Sequence, residues 1–146
     1  MDFRNVDASP NDPVETWPFE GILAAIERGS LTEWRRLAVA IRADPWGQVA
    51  RDVSEAADIA DVYGTSHLMR LVVTKARADA AADERGRVAA EVRSAVEASG
   101  MSRADFAASI GTSASRLSTY TSGKVVPSAS LLLRMRRVAG RHSVTS

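Results

Sequence analysis

Cysteine is absent from the 146 residues, which excludes disulfides and thiolate metal sites. Histidine is nearly absent too. His67 and His142 are the only two, and neither has a second ligand at metal-binding spacing. No glycine-rich phosphate loop ending in Lys-Ser/Thr occurs, and no nucleophile–base–acid set stands out, so neither an enzyme nor a cofactor is expected. No apolar run approaches the roughly 18 residues that cross a bilayer. The opening MDFRNVDASPNDPVE is acidic and polar, the reverse of a signal peptide. The expectation is a cytoplasmic protein with no membrane role. Aromatic residues make up only 5 %. The 45 % hydrophobic content is mostly Ala and Val, laced with charge, which favours helix over strand. No segment alternates as a strand should.

A final scarcity is local. From Arg103 onward only Asp105 is acidic, against Arg103, Arg116, Lys124, Arg134, Arg136, Arg137 and Arg141. Residues 1–30 hold six acidic and two basic side chains, residues 31–82 seven of each, and residues 83–146 five acidic and ten basic. The overall charge of +1 therefore conceals an acidic-to-neutral front and a basic back. That asymmetry suits a polyanionic partner for the second part, or a solvated basic surface.

Along the chain, residues 1–16 are dense in Asp, Asn, Pro and Ser without periodicity, and read as a mobile tail. Helical patterning starts near Pro18 and runs to Gly29. Ser30 can cap a second helix with Leu31, Trp34, Leu37, Ala38 and Ile41 on one face. Asp44-Pro45 opens a third helix that Gly64 would end, and Thr65 or Ser66 would cap the next. That segment could run from His67 towards Ala98. An uninterrupted helix of such length would be unusual, so a break is expected between about Asp79 and Gly86. From Glu84 the helices shorten. The first has Val88, Val92, Ala95 and Val96 on its buried stripe and closes at Gly100. Ser102 caps RADFAASI, Gly111 ends it, and Thr112 or Ser113 caps ASRLSTYTS before Gly123. After KVVP and Ser128 comes a last amphipathic helix, ASLLLRMRRVAG.

Two short helices joined through a glycine turn describe a helix-turn-helix. Ala107 lies where the helices approach most closely, and Gly111 occupies a turn that needs a left-handed backbone. Phe106, Ile110 and Leu117 supply the apolar plug, with Tyr120 closing its end. SRADFAASIGTSASRLSTYTSGKVVPSASLLLRM resembles the lambda-repressor-like (Cro/C1, XRE) helix-turn-helix family over residues 84–140. SGK at 122–124 is then a helix-ending turn. The resemblance implies that the helix at 113–122 lies in the major groove of double-stranded DNA. Ala114, Ser115, Arg116 and Thr119 would face bases, and Arg103, Ser113, Lys124 and Ser128 would face phosphates. Arg116 suits guanine, since its fork matches O6 and N7, and Lys124 suits phosphate. Ala114 stands where many relatives carry a long polar reader, and Thr121 replaces a frequent acidic residue. Arg134, Arg136 and Arg137 read either as backbone contacts or as a solvated helix end.

A second GTS lies 47 residues upstream, in DIADVYGTSHLMRLVV. Its Ile59 and Tyr63 match Phe106 and Ile110, but Arg70 stands where Leu117 must be buried. Leu68, Met69, Leu71, Val72 and Val73 look like packing surface, and Asp52, Glu55, Asp58 and Asp61 would repel phosphate. This copy reads as an echo that packs. Trp17, Trp34 and Trp46 all fall in the front half, as core or as interface anchors.

The expected architecture is all-α, a mobile tail (1–16), an N-terminal helical bundle (17–82) and a C-terminal helix-turn-helix domain (83–142). The expected function is a sequence-specific transcriptional regulator, a repressor acting at short operators as a homodimer through its N-terminal domain. The alternatives are an antitoxin-like protein whose front half binds a protein partner while the back half autoregulates, and a nonspecific nucleoid-type binder. A helix-turn-helix with a purely structural or protein-binding role is the plainest alternative.

Overall fold

The computed structural model describes residues 1, 3 and 8–144, and for residues 142–144 the backbone alone. The expected tail can therefore be followed only in part, since residues 2 and 4–7 lie outside the described residues. The chain divides into two compact units, Met1–Ala80 and Ala81–Ser146. Seven α-helices and one 3-10 turn, Val14–Thr16, account for the regular structure, with no strand among the described residues.

The first unit contains α1 (Phe19–Arg28), α2 (Leu31–Ala43), α3 (Gln48–Ile59) and the start of α4 (Tyr63–Ser99). Ile22, Ile26, Leu37, Ile41, Val53, Met69 and Val73 are buried together. The α1–α2 junction is tight because Ser30 donates both its N–H (3.0 Å) and its hydroxyl (2.5 Å) to the Glu33 carboxylate. These bonds hold the Glu33 carboxyl below its usual range, the Ser30 side-chain bond contributing most. The Met1 ammonium lies 3.9 Å from the same carboxylate.

The stretch expected to be a tail is anchored at its C-terminal end. Val14 and Trp17 are buried in the core, and Phe3 stacks edge-on against Trp17 at 5.0 Å. Trp17 Nε1 donates to Asp12 O at 3.0 Å. Arg36 lies over the Trp17 ring and donates to the carbonyls of Pro10 and Asp12. A composition rich in Pro and Asp hides this, because the ordering comes from a tryptophan and an arginine further along. Trp34 is half-buried, with its indole bonded to Ala25 O at 2.8 Å, whereas Trp46 is largely exposed.

Two expected boundaries move. α3 ends at Ile59 with Ala60 as its cap, so Gly64 does not terminate it. Gly64, Thr65 and Ser66 all lie inside the first turn of α4 rather than in a turn or a cap. The expected break between Asp79 and Gly86 is absent, and α4 runs unbroken for 37 residues. Gly86 costs a helix interior about 1 kcal/mol relative to alanine. Its neighbours ADAAADERGRVAAEV are strong helix formers, and the i,i+4 pairs Lys75–Asp79 and Arg87–Asp83 support the same stretch.

The second unit contains the rest of α4, α5 (Arg103–Ile110), α6 (Ala114–Thr121) and α7 (Ala129–Val144). Its core gathers Val92, Phe106, Ile110, Leu117 and Met135, each at most 1 % exposed. No described helix is long and apolar enough to cross a membrane.

Candidate nucleic-acid interface

The local rules that build α5 and α6 are satisfied one by one. Ser102 caps α5, its hydroxyl oxygen accepting from Asp105 N–H at 3.2 Å. Gly111 follows the helix with φ +81° and ψ 31°, the left-handed conformation that an L side chain adopts only at a cost. The Thr112 N–H then turns back to Ala107 O at 2.9 Å, satisfying a carbonyl that the helix end leaves open. Ser113 caps α6 by accepting from Arg116 N–H at 3.1 Å. Between the helices, Ala107 is 1 % exposed, so a larger residue there would meet packed neighbours.

Leu117, Tyr120 and Thr121 form the inner side of α6. Helical spacing of about 100° per residue places Ser115 and Thr119 opposite Leu117, flanked by Arg116 and Ser118. Ala114, Ser115, Arg116 and Ser118 are exposed and Thr119 is half-buried. Ser115, Arg116 and Thr119 thus share the outward arc of α6, whereas Ala114 lies about 60° from Leu117 and is exposed as the first residue of the helix. Ser118 belongs beside them and was not singled out from the sequence. Its place directly after buried Leu117 is the sequence signal for its exposure. Arg103, Ser113, Lys124 and Ser128 are all exposed. Ser113 and Ser128 each accept a backbone N–H, from Arg116 and Leu131 respectively. Their hydroxyl protons stay free to donate.

Arginines from neighbouring helices fix the motif. Arg134 Nη1 donates to Ile110 O at 3.3 Å, tying α7 to the end of α5. Arg93 Nη1 donates to Thr121 O at 2.6 Å, tying α4 to the end of α6. Arg136 pairs with Glu91 at 2.5 Å. That hydrogen bond is the main reason the Glu91 carboxyl falls below its ordinary value and the Arg136 guanidinium rises above its own. Of the three α7 arginines left open by the sequence, two are thus engaged within the protein. Thr121, in place of an acidic residue, is buried and donates to Ser118 O at 3.1 Å.

The electrostatics are one-sided. α6 and the following residues through Ser128 contain no carboxylate and carry Arg116 and Lys124. None of the described ion pairs uses Arg103, Arg116 or Lys124. Among the described residues no group of three or more His, Asp or Glu side chains could hold a metal ion.

The upstream GTS has a different structure. It lies within a helix, and the positions matching Phe106 and Ile110 are exposed, Ile59 at 59 % and Tyr63 at 85 %. Arg70, in the place of Leu117, reaches back to Asp58 at 3.1 Å and to Ala57 O at 2.7 Å. No apolar plug joins the two helices at that point. Met69 and Val73 carry the packing, whereas Leu68 and Leu71 remain substantially exposed.

Residues 87–144 match the model of a family described as a helix-turn-helix domain. No curated protein and no solved structure matches the chain.

Proposed function

We propose that the helix-turn-helix domain at residues 87–144 makes this protein a sequence-specific DNA-binding transcriptional regulator, a repressor at short operators in the cytoplasm. The observation that carries the reading is the outer side of α6. It offers one guanidinium and several hydroxyls, has no carboxylate, and is held at a fixed angle by buried Leu117 and left-handed Gly111. Ala114, Ser115, Arg116 and Thr119 read base edges in the major groove, with the Arg116 fork on guanine. Arg103 and Lys124 bring charge to the phosphates, and Ser113 and Ser128 donate their free hydroxyl protons to them. Each phosphate neutralised by a cation adds roughly 0.9 to the log–log salt slope of affinity.

One recognition helix reads only a few base pairs, and two copies on a paired site extend the readout. The first unit suits that pairing, because it leaves Leu31, Leu68 and Leu71 between 44 % and 53 % exposed. The same apolar exposure supports the second reading, in which this unit binds a different protein and the DNA-binding unit regulates the operon of that pair. Sedimentation of the full chain separates the two readings. Concentration-dependent dimers support self-association, and a monomer up to high micromolar concentration removes it.

Selection of DNA from a random pool by the full chain tests the regulator reading. One enriched short motif is expected. Retention of DNA without an enriched motif would reduce the protein to a nonspecific binder.

A further inference from the structure

Resting on that reading, we infer that α6 recognises its site mainly through thymine 5-methyl groups, with Thr119 and Ala114 as methyl contacts and Arg116 as the one guanine contact. The accessible residues of the helix have few fixed groups left to offer a base. Thr119 Oγ1 lies 2.6 Å from Arg116 O. A carbonyl can only accept, so the Thr119 hydroxyl proton is committed to the backbone. Toward a base, Thr119 keeps its γ-methyl and a lone pair. Ser122 is committed twice, donating to Thr119 O at 3.1 Å and accepting from Lys124 N–H at 3.3 Å. Ala114 has a methyl group and nothing else.

The remaining polar groups discriminate weakly. Ser115 and Ser118 carry rotatable hydroxyls that donate or accept as the base requires. α6 has no Asn or Gln, so the bidentate contact that selects adenine through N6 and N7 is missing. Arg116 can select guanine. Beyond it, the fixed chemical features on the accessible helix are the two methyl groups. In the major groove, thymine is the base that presents a methyl of its own. Contact between two methyl groups removes both from water and needs no proton from the committed Thr119 hydroxyl.

The test uses the full chain and the duplex recovered by selection. Each thymine is replaced singly by uracil, which deletes the 5-methyl and leaves every hydrogen-bonding group in place. Two thymines per half-site are expected to matter, each replacement weakening binding about fourfold, the equivalent of one buried methylene-sized group. Thr119→Ser should abolish the uracil effect at one of these positions and Ala114→Gly at the other. Thr119→Val, which keeps a methyl and discards the hydroxyl, should retain it. Far-UV circular dichroism confirms that each variant is folded.

The inference is overturned if no thymine is sensitive, or if Thr119→Ser and Ala114→Gly remain as sensitive as the wild type. It is also overturned if Thr119→Val loses the discrimination, because the hydroxyl would then be the reader. In each of these cases an enriched motif leaves the regulator reading standing. A selection with no enriched motif removes both.

Discussion

Replacing Gly111 with alanine separates backbone conformation from packing at the turn of the motif. A Cβ built at this position meets only Arg134 Nη1, at 3.7 Å, an ordinary van der Waals distance. Nothing has to move to admit the methyl group. The cost lies in φ, which is +81°, and an L residue pays about 1–2 kcal/mol for the left-handed region. Alanine also restricts the unfolded chain, which returns part of that, leaving a net loss on the order of 1 kcal/mol. Urea unfolding followed by far-UV circular dichroism measures it, because all three tryptophans belong to the other unit and report there. The midpoint should fall with an unchanged slope, since the surface exposed on unfolding is the same. Asn tolerates the left-handed region better than Ala, so Gly111→Asn should lose less. If alanine is neutral or stabilising, or if asparagine costs as much as alanine, the turn is not held by its backbone conformation and the argument fails.

Gly86 provides the opposite case. It lies within α4 with nothing within 4 Å of a built Cβ, so Gly86→Ala should stabilise the protein by about 1 kcal/mol in urea unfolding; a loss of stability would contradict a continuous helix there. Glu33 gives a pH dependence. Its lowered carboxyl pKa means that the unfolded chain takes up a proton before the folded one does. The resulting stability is present above the ordinary value of 4.5 and is lost as pH falls through the lower folded value. Tryptophan-detected urea midpoints should therefore drop as the solution is acidified below that value, and Glu33→Gln should flatten part of the drop; an unchanged pH profile in the variant would refute it.

The helix-turn-helix was legible in the sequence because its rules are local. A cap serine, a turn glycine and a buried leucine at fixed offsets specify Ser102, Gly111 and Leu117 without knowledge of anything distant. The long helix is not legible there, because glycine at 64 and 86 reads locally as punctuation. At Gly64 the residue falls in the first helical turn with nothing within 4 Å of a built Cβ, and at Gly86 its neighbours outweigh the penalty. Nor was the anchoring of residues 8–17, which depends on Arg36 more than 20 positions away. On α6, the burial of Leu117 and the exposure of Ser115 and Arg116 are legible from helical spacing alone. The sequence could not assign the α7 arginines, since only the fold shows that Arg134 meets Ile110 O and Arg136 meets Glu91. Hydroxyl direction was equally out of reach, and the commitment of Thr119 to Arg116 O became visible only with the side chains in place.

Competition between selected and random duplexes for wild type, Arg116→Ala and Lys124→Ala decides whether α6 reads DNA sequence. Losing the guanine contact should cost about 1–3 kcal/mol on the selected duplex and relax the preference at one base pair. The selected-to-random ratio should then fall about five- to 150-fold for Arg116→Ala. Lys124→Ala should weaken both duplexes alike and leave the ratio unchanged. A ratio that stays at the wild-type value in Arg116→Ala would contradict the account.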